Sequence, residues 1–442
     1  MNVSARFPDW AGLDPDARRK LRETATARAR RLEPQLNAFI EIGALPPPSV
    51  EGPLDGMPYA AKDIFQTPGR RPTAGLSEAV DLGIVGEAEV LERLDRGGGY
   101  RIGFTTLTEL AYEPSGHNAM RGRVRNPWNL DFIAGGSSSG SAAAAASGSA
   151  VIAVGSDTAG SLRIPAHACG VTAWKPTYQA VSVSGAMALA PTLDSIGLLA
   201  RAAVDLLPAM EIVAEAWLPR RPEPIRRATV LSDLLESAQA SVRRACRDGI
   251  DAIENCGVAL DRRDAQDTLG RIDPHVFTVL QGEPARTHAA FLESSSLATM
   301  LRKRLAKGLA VDDRALAESR SLRAALAAEF IDRVLGRADI ALLPVMAIRT
   351  PPAAECDPDS PTFRARTLYE LSRFTRFVNM LGFPALAIPV GFDDRRMPVA
   401  LQLVGRPNSD FALAGLADTV QRKTCWHGRI PSAIADLAAA AT

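Results

Sequence analysis

The chain has almost no net charge, few cysteines and no long apolar run, and each shortage removes a class of function. Its 51 basic side chains are matched by 50 acidic ones over 442 residues, a formal charge of +1. No field of one sign is available to draw nucleic acid or an anionic membrane to the surface, so neither is expected as a partner. The five cysteines, Cys169, Cys246, Cys256, Cys356 and Cys425, are odd in number and never spaced CxxC. A disulfide framework and a zinc site are therefore both unexpected, and a reducing cytoplasm suits such a chain. From Met1 to Asp16 there is no apolar centre of the kind a signal peptide requires. The longest small-apolar stretch, Ala142 to Gly155, is interrupted by Ser147, Gly148 and Ser149 and is too short to span a bilayer.

What is present, 46% hydrophobic and 23% charged residues, is enough to bury one large core, so residues 1–442 are read as a single domain. Asp14-Pro15 reads as an N-cap followed by Pro in the first turn, opening a helix to Leu36. Pro46-Pro47-Pro48 and the turn residues Gly52-Pro53, Gly56 and Pro58 then break the chain. Ser139 to Ser147 reads as a short alanine-rich helix and Ser149 to Val154 as a buried strand. The stretch from about 219 to 330 is arginine-rich and helical in pattern, with Leu301, Leu305 and Leu309 on one face, and predicts a helical insertion covering the core. Ile340 to Pro344, Ala385 to Val390 and Val399 to Val404 read as buried strands, so the core, begun at about 50–205, resumes at about 335–420.

Two serine-bearing glycine segments dominate the chemistry: Gly135-Gly136-Ser137-Ser138-Ser139-Gly140-Ser141, and Gly155-Ser156-Asp157-Thr158-Ala159-Gly160-Ser161-Leu162-Arg163. Upstream of both lies Lys62, within Ala60-Ala61-Lys62-Asp63. Amide hydrolysis needs a nucleophile, a base for its proton, an acid for the leaving nitrogen, and donors for the developing oxyanion. Serine at a tight glycine turn suits the first task. The small side chains of Thr158-Ala159-Gly160-Ser161 would let successive backbone N–H groups converge on one oxygen, and losing such a donor costs about 3 to 4 kcal/mol in the transition state. Lysine serves as base only when neutral, which requires its pKa to fall by about 3 from roughly 10.4, or about 4 kcal/mol. Burial beneath the glycine loops would supply that shift, and Ser137 could relay the proton between lysine and nucleophile.

These residues resemble the amidase signature family of hydrolases. The likeness rests on Lys62 in Ala-Lys-Asp-Ile, on the two glycine segments, and on the 24 positions between Ser137 and Ser161. Asn126-Pro127, Cys169-Gly170, Lys175-Pro176-Thr177, Leu193 to Gly197, Phe374-Thr375, Gly382 to Ala385 and Leu401 to Gly405 extend it, and it is weakest from about 219 to 330. The resemblance implies an α/β fold, a single α/β/α domain with a central mixed twisted sheet flanked by helices. It implies a Ser-cisSer-Lys triad in which Ser161 is the nucleophile, Ser137 the relay serine with a cis peptide bond, and Lys62 the base. The backbone N–H groups of Thr158, Ala159, Gly160 and Ser161 would form the oxyanion hole. The implied reaction is hydrolysis of a small carboxylic amide through a seryl acyl-enzyme, with no metal or organic cofactor, and the resemblance allows a homodimer. Ala159 stands where many members carry glycine; if that position needs positive φ, alanine strains the loop by roughly 1 kcal/mol or more. The same alanine resembles the allophanate-hydrolase branch, pointing to urea-derived or other small amides.

Other readings compete. Gly136-Ser137-Ser138-Ser139-Gly140 satisfies the G-x-S-x-G pattern of α/β-hydrolase esterases, with Ser138 attacking and His275, His288 or His427 as base, but this leaves Lys62 and the Ser161 loop unused. Neither glycine segment continues into the Gly-Lys-Ser/Thr of a phosphate-binding loop. The family resemblance also allows the glutaminase subunit of an aminoacyl-tRNA amidotransferase, although Ser161-Leu162-Arg163-Ile164-Pro165 departs from that branch's Ser-Ile-Arg-Gln-Pro. A noncatalytic scaffold would have no use for the three triad residues. Asp157 and Arg163 read as a pair bracing the catalytic turn, and Cys169, His117 and His167 as structural or pocket-rim residues. Ser138, Ser139 and Ser141 read by default as caps of the following helix.

Overall fold

The computed structural model describes residue 10 and residues 12–43, 52–292 and 297–439. Residues 1–9 of the N-terminal stretch and Pro46-Pro47-Pro48 lie outside the described residues. Eleven strands form one sheet: β1 (Phe39–Ile42), β2 (Pro58–Lys62), β3 (Tyr100–Thr105), β4 (Ile152–Asp157), β5 (Thr172–Lys175), β6 (Ser195–Ala200), β7 (Arg227–Leu231), β8 (Ala259–Arg263), β9 (Ile340–Pro344), β10 (Ala385–Phe392) and β11 (Pro398–Gly405). Their spatial order is β1-β3-β2-β4-β6-β5-β10-β11-β9-β7-β8. β2 runs parallel to both β3 and β4, β7 runs parallel to β8 and β9, and the remaining pairs are antiparallel, so the sheet is mixed.

The central strands are buried on both faces, as near-continuous runs of small and branched apolar residues require. Alternate residues enter different cores: Tyr59, Ala61, Ile152 and Val154 join one cluster, while Ala60 and Ala153 join the one on the opposite face. Helices cover both faces, giving an α/β/α sandwich. The Ser139–Ala146 helix is buried along its whole length and packs against β2, β4 and β6. Its glycine and alanines permit that approach; a Cβ on Gly140 would lie 2.6 Å from the Thr106 carbonyl oxygen. The Pro15–Leu36 helix begins as its sequence predicts, with Asp14 accepting from the Ala17 N–H at 2.8 Å, a cap worth about 1 kcal/mol.

The structure corrects three expectations. The strand predicted at Ser149 to Val154 runs from Ile152 to Asp157, because pairing with β6 continues to Asp157 opposite Ser195. The segment at about 219–330 is not purely helical: it supplies β7 and β8, which extend the sheet beyond β9, and the Ala240–Glu254 helix, which packs on β10. β8 is largely exposed and carries Asp261, Arg262 and Arg263, which hid its strand pattern while protecting the sheet edge from further pairing. On the Thr299–Gly308 helix Leu301 and Leu305 are buried, but Leu309 lies past the helix end and is 45% exposed.

Candidate active site

The parallel pairing of β2 with β4 builds the centre of the site. Ala61 faces Val154 in register, which sets Lys62, the last residue of β2, beside the end of β4. Lys62 is fully buried, and its Nζ donates to Ser137 Oγ at 2.7 Å and to Ser156 Oγ at 2.8 Å. Burial pushes its ammonium down to about 7, outweighing the opposite pull of Asp194 and Asp157. Neighbouring Asp63 takes no part in this contact; it is held by Arg70 at 2.7 Å and by Thr73.

Ser137 is fully buried, and the Gly136–Ser137 peptide bond is cis. The glycine segment that carries it is pinned at both ends, by Gly136 N–H to the Pro114 carbonyl at 2.7 Å and by Ser138 N–H to the Ser161 carbonyl at 3.1 Å. That second bond joins the two glycine segments through their backbones. Among the described residues no hydrogen bond links Ser137 Oγ to Ser161 Oγ. Ser161 is half-buried and opens into a cavity of about 170 Å³.

The loop between β4 and Ser161 is held from beneath by a buried ion pair. Arg163 Nη2 lies 2.8 Å from Asp157 Oδ1, and both side chains are inaccessible to solvent. Arg163 also donates to Thr375 C=O at 3.0 Å, Gln402 Oε1 at 2.5 Å and Asn379 Oδ1 at 2.6 Å. Burial alone would raise the Asp157 carboxyl, but the charge and hydrogen bonds of Arg163 outweigh it and hold the group at about 2. Asp157 in turn accepts from Gly160 N–H at 2.8 Å and Leu162 N–H at 3.1 Å. The amide of Gly160 is thus already engaged, contrary to its expected place among the oxyanion donors. The N–H groups of Thr158, Ala159 and Ser161 find no acceptor among the described residues. Positive φ falls on Gly160, at 129°, and not on Ala159, so the alanine is not strained. A Cβ on Gly160 would collide with Thr375, whose hydroxyl donates to the Ala159 carbonyl at 2.6 Å.

Several side chains expected near the chemistry have other roles. Ser138 is buried, and its hydroxyl donates to the Ser156 carbonyl at 3.0 Å. Among the described residues no hydrogen bond joins this hydroxyl to a histidine: His275 meets Ser319 at 3.2 Å, and His288 packs beside Phe291. Nor do these serines cap their helix. Ser138 occupies the N-cap position without a side-chain capping bond, and Ser141 Oγ meets Thr105 Oγ at 2.8 Å and donates to the Val154 carbonyl at 3.0 Å. His167 is buried and accepts from Ala400 N–H, and burial pushes its imidazole down to about 3. Burial pushes the Cys169 thiol up, so it stays protonated and unreactive. All five cysteines are free.

Sequence reasoning missed Ser156, the second hydroxyl on Lys62, although strand alternation beyond Val154 was a usable signal. Asp194 was missed as well. It accepts from Thr158 Oγ1 at 2.6 Å and from Leu189 N–H at 2.8 Å, and burial lifts its carboxyl to about 6 despite these bonds. Lys175 is a second buried lysine, donating to the Pro176 carbonyl at 2.6 Å and pushed by burial and the nearby Arg163 to about 7. Among the described residues no cluster of histidine, cysteine, aspartate and glutamate has the geometry to hold a metal ion, and no helix is long and apolar enough to cross a membrane.

Comparison with known proteins settles the family. Residues 21–414 match the Amidase family. The chain belongs to the amidase family, and it is a hydrolase acting on C–N amide bonds. Its sequence is 29% identical to a glutamyl-tRNA(Gln) amidotransferase subunit of Marinomonas sp. (strain MWYL1), over 92% of this chain and 93% of that one. A solved structure described only as an amidase superposes with a TM-score of 0.81 at 28% identity, covering 91% of this chain and 95% of the other. The corresponding glutamyl-tRNA(Gln) amidotransferase subunit of Thermotoga maritima superposes with a TM-score of 0.82 at 26% identity, covering 97% and 98%. The 11-stranded mixed sheet flanked by helices is the amidase signature fold.

Proposed function

We propose that this amidase cleaves a small carboxylic amide, or a urea-derived one, to the acid and ammonia or an amine through an acyl-enzyme on Ser161. The observation that carries the reading is the fully buried Lys62 ammonium, held 2.7 Å from Ser137 Oγ by a short strand and pushed toward neutrality at about 7. Neutral Lys62 draws a proton from Ser137 as Ser137 takes one from Ser161, and Ser161 Oγ attacks the carbonyl carbon. The oxyanion that forms is met by the open amides of Thr158, Ala159 and Ser161, while Gly160 holds the loop on Asp157. The relay returns the proton to the leaving nitrogen, water then attacks the ester, and the acid departs. None of these steps calls for a metal or an organic cofactor. A cytoplasmic homodimer acting on a small-molecule amide, without nucleic acid, completes the proposal.

One observation favours a second reading, in which the chain is the glutaminase subunit of a tRNA-directed amidotransferase: the likeness to such subunits runs over 92% of its length. Against it stands Ser161-Leu162-Arg163-Ile164-Pro165 in place of that branch's sequence. Purification of the native chain with its bound partners separates the two readings, since the stand-alone enzyme releases ammonia without them.

The direct test is labelling with a fluorophosphonate followed by peptide mapping of the wild type and Lys62→Ala. Modification at Ser161 that depends on Lys62 supports the mechanism. Modification at Ser138 would redirect it to an esterase.

A further inference from the structure

The cavity in front of Ser161 has an uneven lining. Its walls are largely apolar, with Tyr112, Leu189, Phe277, Leu280 and Leu368 among them, and among the described residues no aspartate, glutamate or histidine lines it. Two cations do, Arg304 and Lys307, both from the Thr299–Gly308 helix. Arg304 is half-buried and Lys307 exposed. Among the described residues neither side chain makes an ion pair.

On its other side Arg304 is felt by Glu113, where burial raises the carboxyl and the guanidinium pulls it back down, but the two make no ion pair. A second cavity, of about 400 Å³, shares Tyr112, Arg304 and Leu368 with the first and contains Glu109 and Glu113. Glu109 accepts backbone amides, Ala119 N–H at 3.2 Å and Ala298 N–H at 2.9 Å. Glu113 Oε2 accepts Ser115 N–H at 2.9 Å, Ser115 Oγ–H at 2.8 Å and Gly116 N–H at 3.1 Å. Its Oε1 is buried without a partner, yet it forms no ion pair with Arg304. A partly desolvated guanidinium facing an acid-free apolar chamber is a poor neighbour for a cationic or purely apolar substrate. It suits one that ends in an anion, because the planar fork of donors matches a carboxylate.

We propose that the preferred substrate is an amide with an apolar body and a carboxylate at the end away from the scissile bond, and that Arg304 is the residue that selects it. Lys307, exposed and screened, adds a smaller attraction. This inference rests on the reading of Ser161 as nucleophile and names the substrate class for that site.

The test is competition against fluorophosphonate labelling of the intact chain. The competitors are an aromatic pair, 4-carbamoylbenzoate and uncharged 4-methylbenzamide, and a linear pair, adipic acid monoamide and heptanamide. Labelling of Ser161 without any competitor is read first; its absence overturns the nucleophile reading and this inference with it. Given labelling, at least one charged competitor should protect at a concentration lower than its neutral partner by about tenfold or more. In Arg304→Gln that gap should close to less than about threefold, and Arg304→Lys should restore part of it. Equal protection by the charged and neutral members, protection by no charged competitor, or a gap that survives Arg304→Gln overturns the proposal. Where an amide is turned over, the preference should lie in KM; a change confined to kcat would assign Arg304 a structural role and also overturn it.

Discussion

The stretch from β2 to β6 and the stretch at about 219–330 lie in one fold but follow opposite rules. In the first, polar groups are buried and engaged: Lys62, Ser137, Asp157 and Arg163 are all inaccessible to solvent, and the four meet one another or the loops around them at 2.5 to 3.1 Å. In the second, charges sit mostly at the surface, as with Arg286 and Asp313, and the residues that reach the site are apolar side chains, Gln281 and two cations that make no ion pair among the described residues. The contrast shows where each kind of information is stored. Chemistry needs a rigid, low-dielectric frame, in which moving one group upsets several others. Selectivity needs a wall whose residues can change without disturbing that frame.

The sharpest way to break this comparison is to remove the groups proposed to react. Ser161→Ala should abolish measurable turnover and leave the thermal unfolding midpoint close to wild type. Lys62→Ala should lower kcat/KM on the order of 10⁴-fold. Near-normal turnover in either variant would sink the proposed mechanism.

Removing the brace comes next. Arg163→Met leaves Asp157 charged and unpaired in the interior and should destabilise the chain by about 3 to 5 kcal/mol, read as a lowered denaturation midpoint. A change under about 1 kcal/mol would mean that water reaches this pair. Gly160→Ala pushes a methyl group toward Thr375 at a positive-φ position and should cut kcat by about 10²-fold, whereas Ala159→Gly should stay within a few-fold of wild type.

The pH dependence sharpens the role of burial. In the proposed mechanism Lys62 acts as base only when neutral, so kcat/KM should rise with pH through about 7 and level off above it. Stability has a definite sign too. The folded-state pKa of Lys62 lies below its ordinary value of 10.5, so between about 7 and 10.5 the unfolded chain binds the extra proton, and wild-type stability gains with rising pH. Lys62→Met should therefore be stabilising by an amount greatest below pH 7 and vanishing above about 10.5. A gain independent of pH would point to packing instead. At the small end, Asp313→Asn breaks only a surface pair in the 219–330 segment and should change stability by less than about 1 kcal/mol, with turnover unaltered.

How far the molecule could be read from its sequence follows the same division. The Asp14 cap, the alanine-rich helix at Ser139 and the strands at Ile340 and Ala385 were legible because propensity, capping and burial all agree there. β8 was not, since an exposed edge strand has no apolar alternation to detect. At the site, Lys62, Ser137 and Ser161 stood out through their motifs. Ser156 and Asp194 did not, because a hydroxyl or carboxylate gains its role from the neighbour that a strand register or a returning loop delivers. The expected oxyanion donor at Gly160 was misread for the same reason: its amide points to Asp157, a contact between residues three apart that only the loop's shape creates.

By itself the sequence determined the family, the residue types of the glycine segments and the absence of any large field of charge. The tertiary structure decided that the Lys62 ammonium donates to the hydroxyls of Ser137 and Ser156, that Asp157 and Arg163 support the loop from below, and that Arg304 lines the cavity without an ion pair among the described residues. The physical reason is that charge state and open donors are properties of an environment. Desolvation and hydrogen bonding act through space, and the groups that cause them lie 75 residues apart between Lys62 and Ser137 and as many as 239 apart between Arg163 and Gln402.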